Sequence, residues 1–326
     1  MTRELLILRH GKAERGGQGD DFDRPLKDRG KRDAQRVGVW LAEQNLVPDR
    51  VISSPAERAL VTAEKSCKAM GVYVGHIVTD RRLYGADVNS LLAVLSEIVE
   101  TGHRLMLVGH NPGLEDLLEY LAADTLPAER ADKLLPVGAI ARLSMPEDWG
   151  QLSRGAAALI GLTLPAELPK KFPFPDHRGT ERRDRPAYYY RQSSVIPYRM
   201  NNDDPEILVI LSSQKKHFVV PKGIKDPGLS AQDSAAKEAR EEAGVEGRVM
   251  DPPLGSYRYE KWGSSCDVDV YAMEVTAVVP EREWQESHRG REWVSPEEAA
   301  SRLKQKALAP MVLALAEKLR AGHAGA

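Results

Sequence analysis

The stretch from Gly223 to Val245 reads Gly-Ile-Lys-Asp-Pro-Gly-Leu-Ser-Ala-Gln-Asp-Ser-Ala-Ala-Lys-Glu-Ala-Arg-Glu-Glu-Ala-Gly-Val. A Gly/Pro loop leads into Ser230, whose hydroxyl can cap a helix, with Asp233 as the reciprocal partner three residues on. Helix-favouring residues follow to Gly244, which suits a left-handed stop. Inside this helix Glu238, Glu241 and Glu242 stand at i, i+3 and i+4, a spacing that puts three carboxylates on one face. Such a face repels itself. A solvated acidic surface is the ordinary reading; the other is a hard divalent cation, Mg²⁺ or Mn²⁺, held by oxygen ligands beside a phosphate substrate.

The neighbouring residues favour the cation. The order loop-Gly, helix, Lys-Glu, Glu-Glu, Gly, apolar resembles the Nudix box of pyrophosphate hydrolases. Gly223, Glu238, Glu241, Glu242, Gly244 and Val245 match it, Lys237 stands where the family usually has Arg, and Leu229 stands in place of its first Glu. The resemblance implies an α/β/α sandwich with a mixed sheet over 187–326. It also implies Mg²⁺ or Mn²⁺ held by Glu238, Glu241 and Glu242 with the Gly223 carbonyl, and attack by water on a phosphoanhydride, with Glu241 among the catalytic groups. Any general base is left open between the box glutamates and Glu286. The segment Phe218-Val-Val-Pro-Lys-Gly223 resembles a subgroup acting on diadenosine polyphosphates and diphosphoinositol phosphates, in which the Lys beside the Gly (here Lys222) faces the phosphate chain. Tyr257, Tyr259, Lys261, Arg289 and Arg291 would extend that surface, although each taken singly reads equally as an ordinary strand or loop residue.

A chain of 326 residues has room for two domains. Charged residues make up 29% and apolar residues 42%, a globular profile, and a net charge of −2 gives no global pull toward a nucleic-acid polymer or a membrane. Phosphate binding must therefore come from local basic clusters. Cys67 and Cys266 lack metal-ligand spacing and suggest no disulfide framework. With no apolar run near the ~18 residues of a membrane span and no leader before the first strand, the expectation is a cytoplasmic protein. Oligomeric state is not legible.

In the first half, Leu5-Leu6-Ile7-Leu8 and Leu105-Met106-Leu107-Val108 are continuous apolar runs, the mark of parallel strands buried on both faces. The first ends in Arg9-His10-Gly11-Lys12, the second in Gly109-His110-Asn111-Pro112. A third run, Val51-Ile52, ends in Ser53-Ser54-Pro55, where Ser54 can cap a helix carrying Arg58 one turn in. Helical patterns at 30–45, 56–70, 87–101 and 114–122 alternate with these runs, giving an α/β domain with a mostly parallel sheet. Ligands bind such sheets beyond the strands' carboxyl ends, where Arg9, His10, Arg58 and His110 all fall. A lone histidine is more often structural. Two histidines and two arginines placed this way make a positive pocket for a tetrahedral dianion, in which an imidazole can attack phosphorus.

Together with Ser54-Pro-x-x-Arg-Ala-x-x-Thr-Ala63 and Gly109-His-Asn-Pro112, the Arg-His-Gly motif is similar to the histidine phosphatase superfamily, in particular its SixA-like branch, over residues 1–168. The match implies an α/β/α domain that needs no cofactor, with His10 as nucleophile and Arg9, Arg58 and His110 binding the phosphoryl group. Arg24, in Asp-Arg-Pro-Leu, edges the pocket, and Lys12 joins the substrate-binding groups. No acid is found near Leu83-Tyr84-Gly85, where larger members carry a carboxylate; Asp87 lies slightly beyond. The remainder of this half reads as a strand at 139–143 and a short helix near 149–160, and residues 169–186 read as a semi-extended linker rich in Pro and charge.

The two resemblances imply a two-domain hydrolase. Its Nudix half would cut nucleoside or dinucleoside polyphosphates (Ap4A to Ap6A, or 8-oxo-dGTP as in MutT-like enzymes), and its phosphatase half would trim the products. Two alternatives remain: a phosphatase acting on a phosphorylated histidine-carrier protein beside a nucleotide-sensing Nudix domain, and a Nudix-like domain that binds without cutting.

Overall fold

The computed structural model describes residues 3–15, 19–97, 102–126, 133–175 and 178–323. The chain forms two units, Met1–Arg182 and Arg183–Ala326.

The first unit is built on a six-stranded sheet. In chain order it contains β1 (Arg3–Arg9), α1 (Asp28–Glu43), β2 (Arg50–Ser53), α2 (Glu57–Met70), β3 (Ile77–Thr79), α3 (Val88–Ser96), β4 (Arg104–Gly109), α4 (Gly113–Leu121), β5 (Ile140–Met145) and β6 (Ala158–Thr163). The sheet order is β3-β2-β4-β1-β5-β6. The first four of these strands run parallel, while β5 and β6 add antiparallel at one edge. The apolar runs of β1 and β4 are buried on both faces because helices cover both. Leu5 and Ile7 pack toward α3 and α4; Leu6 and Leu8 pack toward α1 and α2. That two-sided burial is why these strands read as continuous apolar runs rather than alternating ones.

Three expectations change here. The helical pattern at 87–101 becomes the shorter α3; its last residues, 98–101, lie outside the described residues. The helix expected near 149–160 is instead a turn region followed by the edge strand β6. Gly155 sits at φ 74°, and side chains from Ala158 to Thr163 alternate between exposed and half-buried, as an edge strand requires. The start of the expected linker is fastened to the first unit. Arg36 donates to the carbonyls of Leu168 and Pro169, Arg32 donates to that of Lys170, and Arg32 lies over the fully buried Phe172 ring. Phe172 buries an aromatic ring that a solvated linker would leave in water. Short strands β7 (Phe172–Pro173) and β8 (Arg182–Arg183) follow.

The second unit holds a mixed eight-stranded sheet. Its elements are β9 (Arg191–Asn201), β10 (Asp204–Leu211), β11 (Phe218–Val219), β12 (Lys222–Ile224), α5 (Ala231–Glu238), β13 (Val245–Val249), β14 (Gly255–Lys261), β15 (Ser264–Val278), β16 (Arg291–Val294), α6 (Pro296–Arg302) and α7 (Leu308–His323). The long strands β9 and β15 lie parallel at its centre, and the other pairings are antiparallel. Residues 187–190 form a short 3-10 turn before β9. One face of the sheet packs Val195, Leu208, Ile210 and Met273 against the alanines of α5; the other packs Ile196, Val209 and Val270 against α6 and α7. Helices on both faces make the expected α/β/α sandwich. Ser295 caps α6 by accepting from Glu298 N.

Candidate active sites

In the first unit the parallel register sets Arg9 opposite Gly109, so His10 and His110 leave adjacent strands at the same level. His10 N donates to Gly109 O at 3.1 Å, and the two imidazole centroids are 5.1 Å apart. Gly11 is needed immediately after His10: a Cβ there would stand 2.8 Å from Gly30 O, so the loop passes α1 backbone to backbone. Its N–H donates to Thr62 Oγ1, which donates to Arg58 O, tying the β1 loop to α2.

His10 Nδ1 lies 2.8 Å from the Gly11 carbonyl. A carbonyl can only accept, so Nδ1 carries the proton and the Nε2 lone pair is left for a substrate. Burial, helped by the charges of Arg58, Arg9 and Arg24, pushes the His10 pKa down to about 4 against the pull of the Gly11 carbonyl. Burial, then His10 and Arg58, pushes His110 down to about 3. Both imidazoles are therefore neutral at pH 7.

Ser54 does not cap α2, which starts at Glu57. Its Oγ is instead 2.9 Å from His110 Nε2, fixing that ring. Arg58 is buried and bonds Asp21 through Nη1 to the backbone carbonyl (2.5 Å) and Nη2 to the carboxylate (2.8 Å). Arg24 donates to Glu14 O and pairs with Asp21. Arg9 Nη1 reaches Leu135 O. Lys12 is exposed on the loop. Four buried nitrogens have no hydrogen-bond partner among the described residues: Arg9 Nε, Arg24 Nε, Arg58 Nε and His110 Nδ1. Unpaired buried polar atoms are rare and costly; the three arginines are the charges that act on His10, and His110 stands beside it.

In the second unit Ser230 accepts from Asp233 N at 2.9 Å, capping α5. The helix continues from Ala239 to Ala243 as a π turn and stops at Gly244, φ 62°. The wider turn shifts Glu241 and Glu242 from the α-helical positions that the sequence spacing implied; such turns recur at functional sites. The Glu238 carboxylate lies against Gly223, so that a Cβ at this position would displace it. Glu242 accepts from Lys222 N at 3.0 Å and pairs with Arg289 at 2.5 Å. Glu241 is more exposed, 3.8 Å from Lys237, whose ammonium also pairs with the buried Asp226. Burial, then Glu242 and Glu241, push the Glu238 pKa up to about 7. Burial also raises Glu242, against the charge of Arg289.

Lys222 sends its backbone to Glu242 and its side chain the other way, to Gln192 Oε1 (2.6 Å) and Tyr259 OH (2.9 Å). Burial lowers its pKa. It lines a cavity of about 190 Å³ with Val219, Tyr257, Tyr259, Lys304 and Leu308. Lys261 is near Tyr259 but stacks its ammonium on Trp262.

Two arginines expected on a polyphosphate surface are engaged elsewhere. Arg289 is buried, paired with Glu242 and Glu286 and donating to Leu211 O. Arg291 donates to the carbonyls of Ala243, Gly244 and Val279 and stacks on Trp284, closing the helix C-terminus. Unpaired helix-end carbonyls attract such donors, so the charge is spent within the fold.

Residues 5–124 match the histidine phosphatase superfamily (branch 1), and residues 190–315 match the NUDIX domain. The chain joins a histidine phosphatase domain to a Nudix hydrolase domain. Phosphohistidine phosphatase SixA of Escherichia coli (strain K12) is 27% identical over 145 residues, 44% of this chain and 86% of that protein. Mitochondrial Nudix hydrolase 16 of Arabidopsis thaliana is 33% identical over 128 residues, 33% of this chain and 68% of that protein. A solved structure from Agrobacterium tumefaciens, assigned to SixA, is 28% identical with a TM-score of 0.42, covering 50% of this chain and 98% of its own. Both families are hydrolases, so the chain is an enzyme with two hydrolytic domains. Among the described residues no helix is long and apolar enough to cross a membrane.

Nudix domains generally use divalent metals. Among the described residues no three His, Cys, Asp or Glu side chains are gathered as a ready metal site, because Glu242 turns to Arg289 and Glu241 to Lys237. The donor set nevertheless fits such a cation in kind. It offers hard oxygens, and Glu238 and Glu242 are pushed toward protonation by burial and Glu238 also by its neighbours, a cost that a divalent cation relieves.

Sequence reasoning brought Arg9, His10, Arg58 and His110 together, and the phosphatase domain does so. It missed Asp21, Tyr84, Thr62 and Ser54 as pocket groups, and Gln192 beside Lys222. No spacing rule links Asp21 to Arg58 across 37 residues.

Proposed function

We propose that the Nudix domain hydrolyses phosphoanhydride bonds in nucleoside or dinucleoside polyphosphates of the Ap4A–Ap6A or 8-oxo-dGTP type, and that the phosphatase domain removes phosphate from the products through a phosphohistidine. The observation that carries the phosphatase half is the set of four unpaired nitrogens around a neutral His10 with its Nε2 lone pair available. A phosphoryl dianion offers acceptors to the three arginine Nε–H groups, and to His110 Nδ1 in the tautomer whose Nε2 accepts from the Ser54 hydroxyl. His10 Nε2 attacks phosphorus, the bond to the leaving group breaks, and Arg9, Arg24, Arg58 and His110 hold the phosphoryl oxygens. Water then attacks phosphorus, orthophosphate departs, and the lone pair returns to Nε2.

In the Nudix half, Glu238, Glu241 and Glu242, with the Gly223 carbonyl, would hold Mg²⁺ or Mn²⁺. Bound there, the cation would neutralise phosphate charge and acidify a water. Lys222 and Tyr259 line the adjoining cavity and supply a cation and an aromatic face for phosphate and base. Arg289 keeps Glu242 oriented rather than meeting substrate.

The test incubates the full chain with Mg²⁺ and Ap4A, Ap5A, Ap6A, 8-oxo-dGTP, dGTP and ATP, separating products by anion exchange. Glu241→Gln should block the first cut and His10→Ala the release of orthophosphate. Identical products from both variants and the parent would end the reading. A second reading, removal of phosphate from a histidine-carrier protein, is supported by the likeness to SixA. Loss of label from such a carrier only when His10 is intact would favour it.

A further inference from the structure

Breaking a bond from phosphorus to an alkoxide leaves charge on oxygen that needs a proton. Near the phosphatase pocket, Asp87 is committed to capping α3 through Ser90 N at 2.8 Å. Glu115 uses one oxygen on Leu135 N (3.0 Å) and the other on Asn111 Nδ2 (2.5 Å), holding the loop behind Arg9. Asp21 is placed differently. Its Oδ2 accepts from Arg58 Nη2 at 2.8 Å and from the Tyr84 hydroxyl at 3.0 Å, and its Oδ1 meets Arg24 Nη2 at 2.8 Å. Two of these partners are the arginines that a phosphoryl group would claim.

The segment carrying Asp21 is fixed in place. Glu57 N donates to Phe22 O at 3.1 Å, the Phe22 ring stands edge-on to Tyr84 at 5.1 Å, and Arg81 lies over Phe22 at 4.8 Å. Tyr84 stands edge-on to His110 at 5.4 Å. The Asp21 carboxylate is therefore held at the rim of the His10 and His110 pocket, facing Arg58 from α2, Arg24 from its own loop, and Tyr84 and His110 from the loops after β3 and β4.

We propose that Asp21 is the acid that protonates the leaving oxygen in the phosphatase reaction, and the base that activates water in the second step. This rests on the phosphatase reading above. In the free protein, although burial pulls the other way, the Tyr84 hydroxyl, Arg58 and Arg24 hold Asp21 below its ordinary pKa, so it is ionised. The proton enters with the substrate, whose second phosphate pKa is about 6. As the phosphoryl oxygens take over Arg58 and Arg24, Asp21 exchanges cationic neighbours for an anionic one and accepts the substrate monoanion's proton. His10 Nε2 forms the P–N bond, the P–O pair goes to the leaving oxygen, and the Asp21 proton follows to give the alcohol. Asp21 then takes a proton from water, the hydroxyl oxygen bonds to phosphorus, the P–N pair returns to Nε2, and as orthophosphate departs the proton leaves Asp21 with it, restoring the ionised carboxylate.

The test is leaving-group dependence in the full chain. Asp21→Asn should lower kcat/KM for glycerol 2-phosphate about a hundredfold more than for 2,4-dinitrophenyl phosphate, whose phenolate departs without a proton. Asp21→Glu should recover part of that difference. Equal losses on both esters would make Asp21 only a positioning residue for Arg58, and gains on both would make it a plug; either overturns the proposal, as does a parent inert toward the alkyl ester. If the variants do not fold, the parent decides. A kcat/KM that falls with pH above about 6 for the alkyl ester alone supports the acid, and parallel profiles refute it. His10→Ala assayed on the aryl ester tests the phosphatase reading by itself: full activity there removes that reading whatever Asp21 does.

Discussion

The two sites are opposites in charge. In the phosphatase domain, arginines and neutral imidazoles surround a lone pair, with buried donors unpaired. In the Nudix domain, buried carboxylates crowd one another and are raised toward protonation. The first arrangement awaits an anion, the second a cation. They also differ in completeness. His10, Ser54, His110, Thr62 and Arg58 are locked by hydrogen bonds from three strand ends and a helix. The Nudix glutamates face Arg289, Gly223 and Lys237 separately. A site for a substrate group can be finished by protein donors alone, whereas carboxylates left without their cation take whatever counter-charge is near.

The sharpest break between the two is expected from His10→Asn. It should cost at least about a thousandfold in phosphomonoester turnover while Mg²⁺-dependent pyrophosphohydrolysis stays intact, both measured on one preparation. A shared loss would mean that the sites are not separate.

Acid should strike the phosphatase domain through its histidines. His10 titrates near 4 when folded and 6.5 in an unfolded chain, and His110 near 3. Between those values the unfolded state binds more protons, so stability is complete above 6.5 and is lost as pH falls toward 4. For His10 alone this is on the order of 3 kcal/mol. Urea unfolding at pH 7, 6 and 5, in parent and His10→Asn, measures it; a slope that survives the substitution intact would count against the neutral, buried imidazole.

Glu238→Gln should act in two opposite directions. Turnover with Mg²⁺ should fall at least about a hundredfold, yet the metal-free protein should gain on the order of 1 kcal/mol or more at neutral pH, because a self-repelling buried charge is gone. Thermal melts with and without Mg²⁺ test both, and a variant less stable without metal contradicts the crowding. The smallest effect is expected at Ser230→Ala, where loss of the α5 cap should cost about 1 kcal/mol in unfolding free energy and leave phosphomonoester turnover unchanged.

Particular residues explain why much of this was legible in the sequence. The runs Leu5–Leu8 and Leu105–Val108 marked parallel strands because burial on both faces removes alternation. Arg9, His10 and His110 followed directly, since a strand end fixes what comes next. Ser230 and Gly244 marked helix ends through bonds made within three or four residues. Local chemistry of this kind needs no distant partner, whereas the contact of Gly223 with the Glu238 carboxylate came only with the fold.

What the tertiary structure alone decided was where long, charged side chains spend their charge. Arg289 and Arg291 looked like substrate ligands, yet one balances Glu242 and Glu286 and the other closes a helix end. Asp21, which no sequence motif marked, is clamped to Arg58 and Tyr84, far away in the chain. Ser54 looked like a cap and holds His110. The residues near 149–160 looked helical until the free edge of β5 offered a partner. Strand ends and helix caps are set by neighbours in sequence. A guanidinium or carboxylate reaches several ångströms in any direction, and only the packed fold fixes which opposite charge it meets.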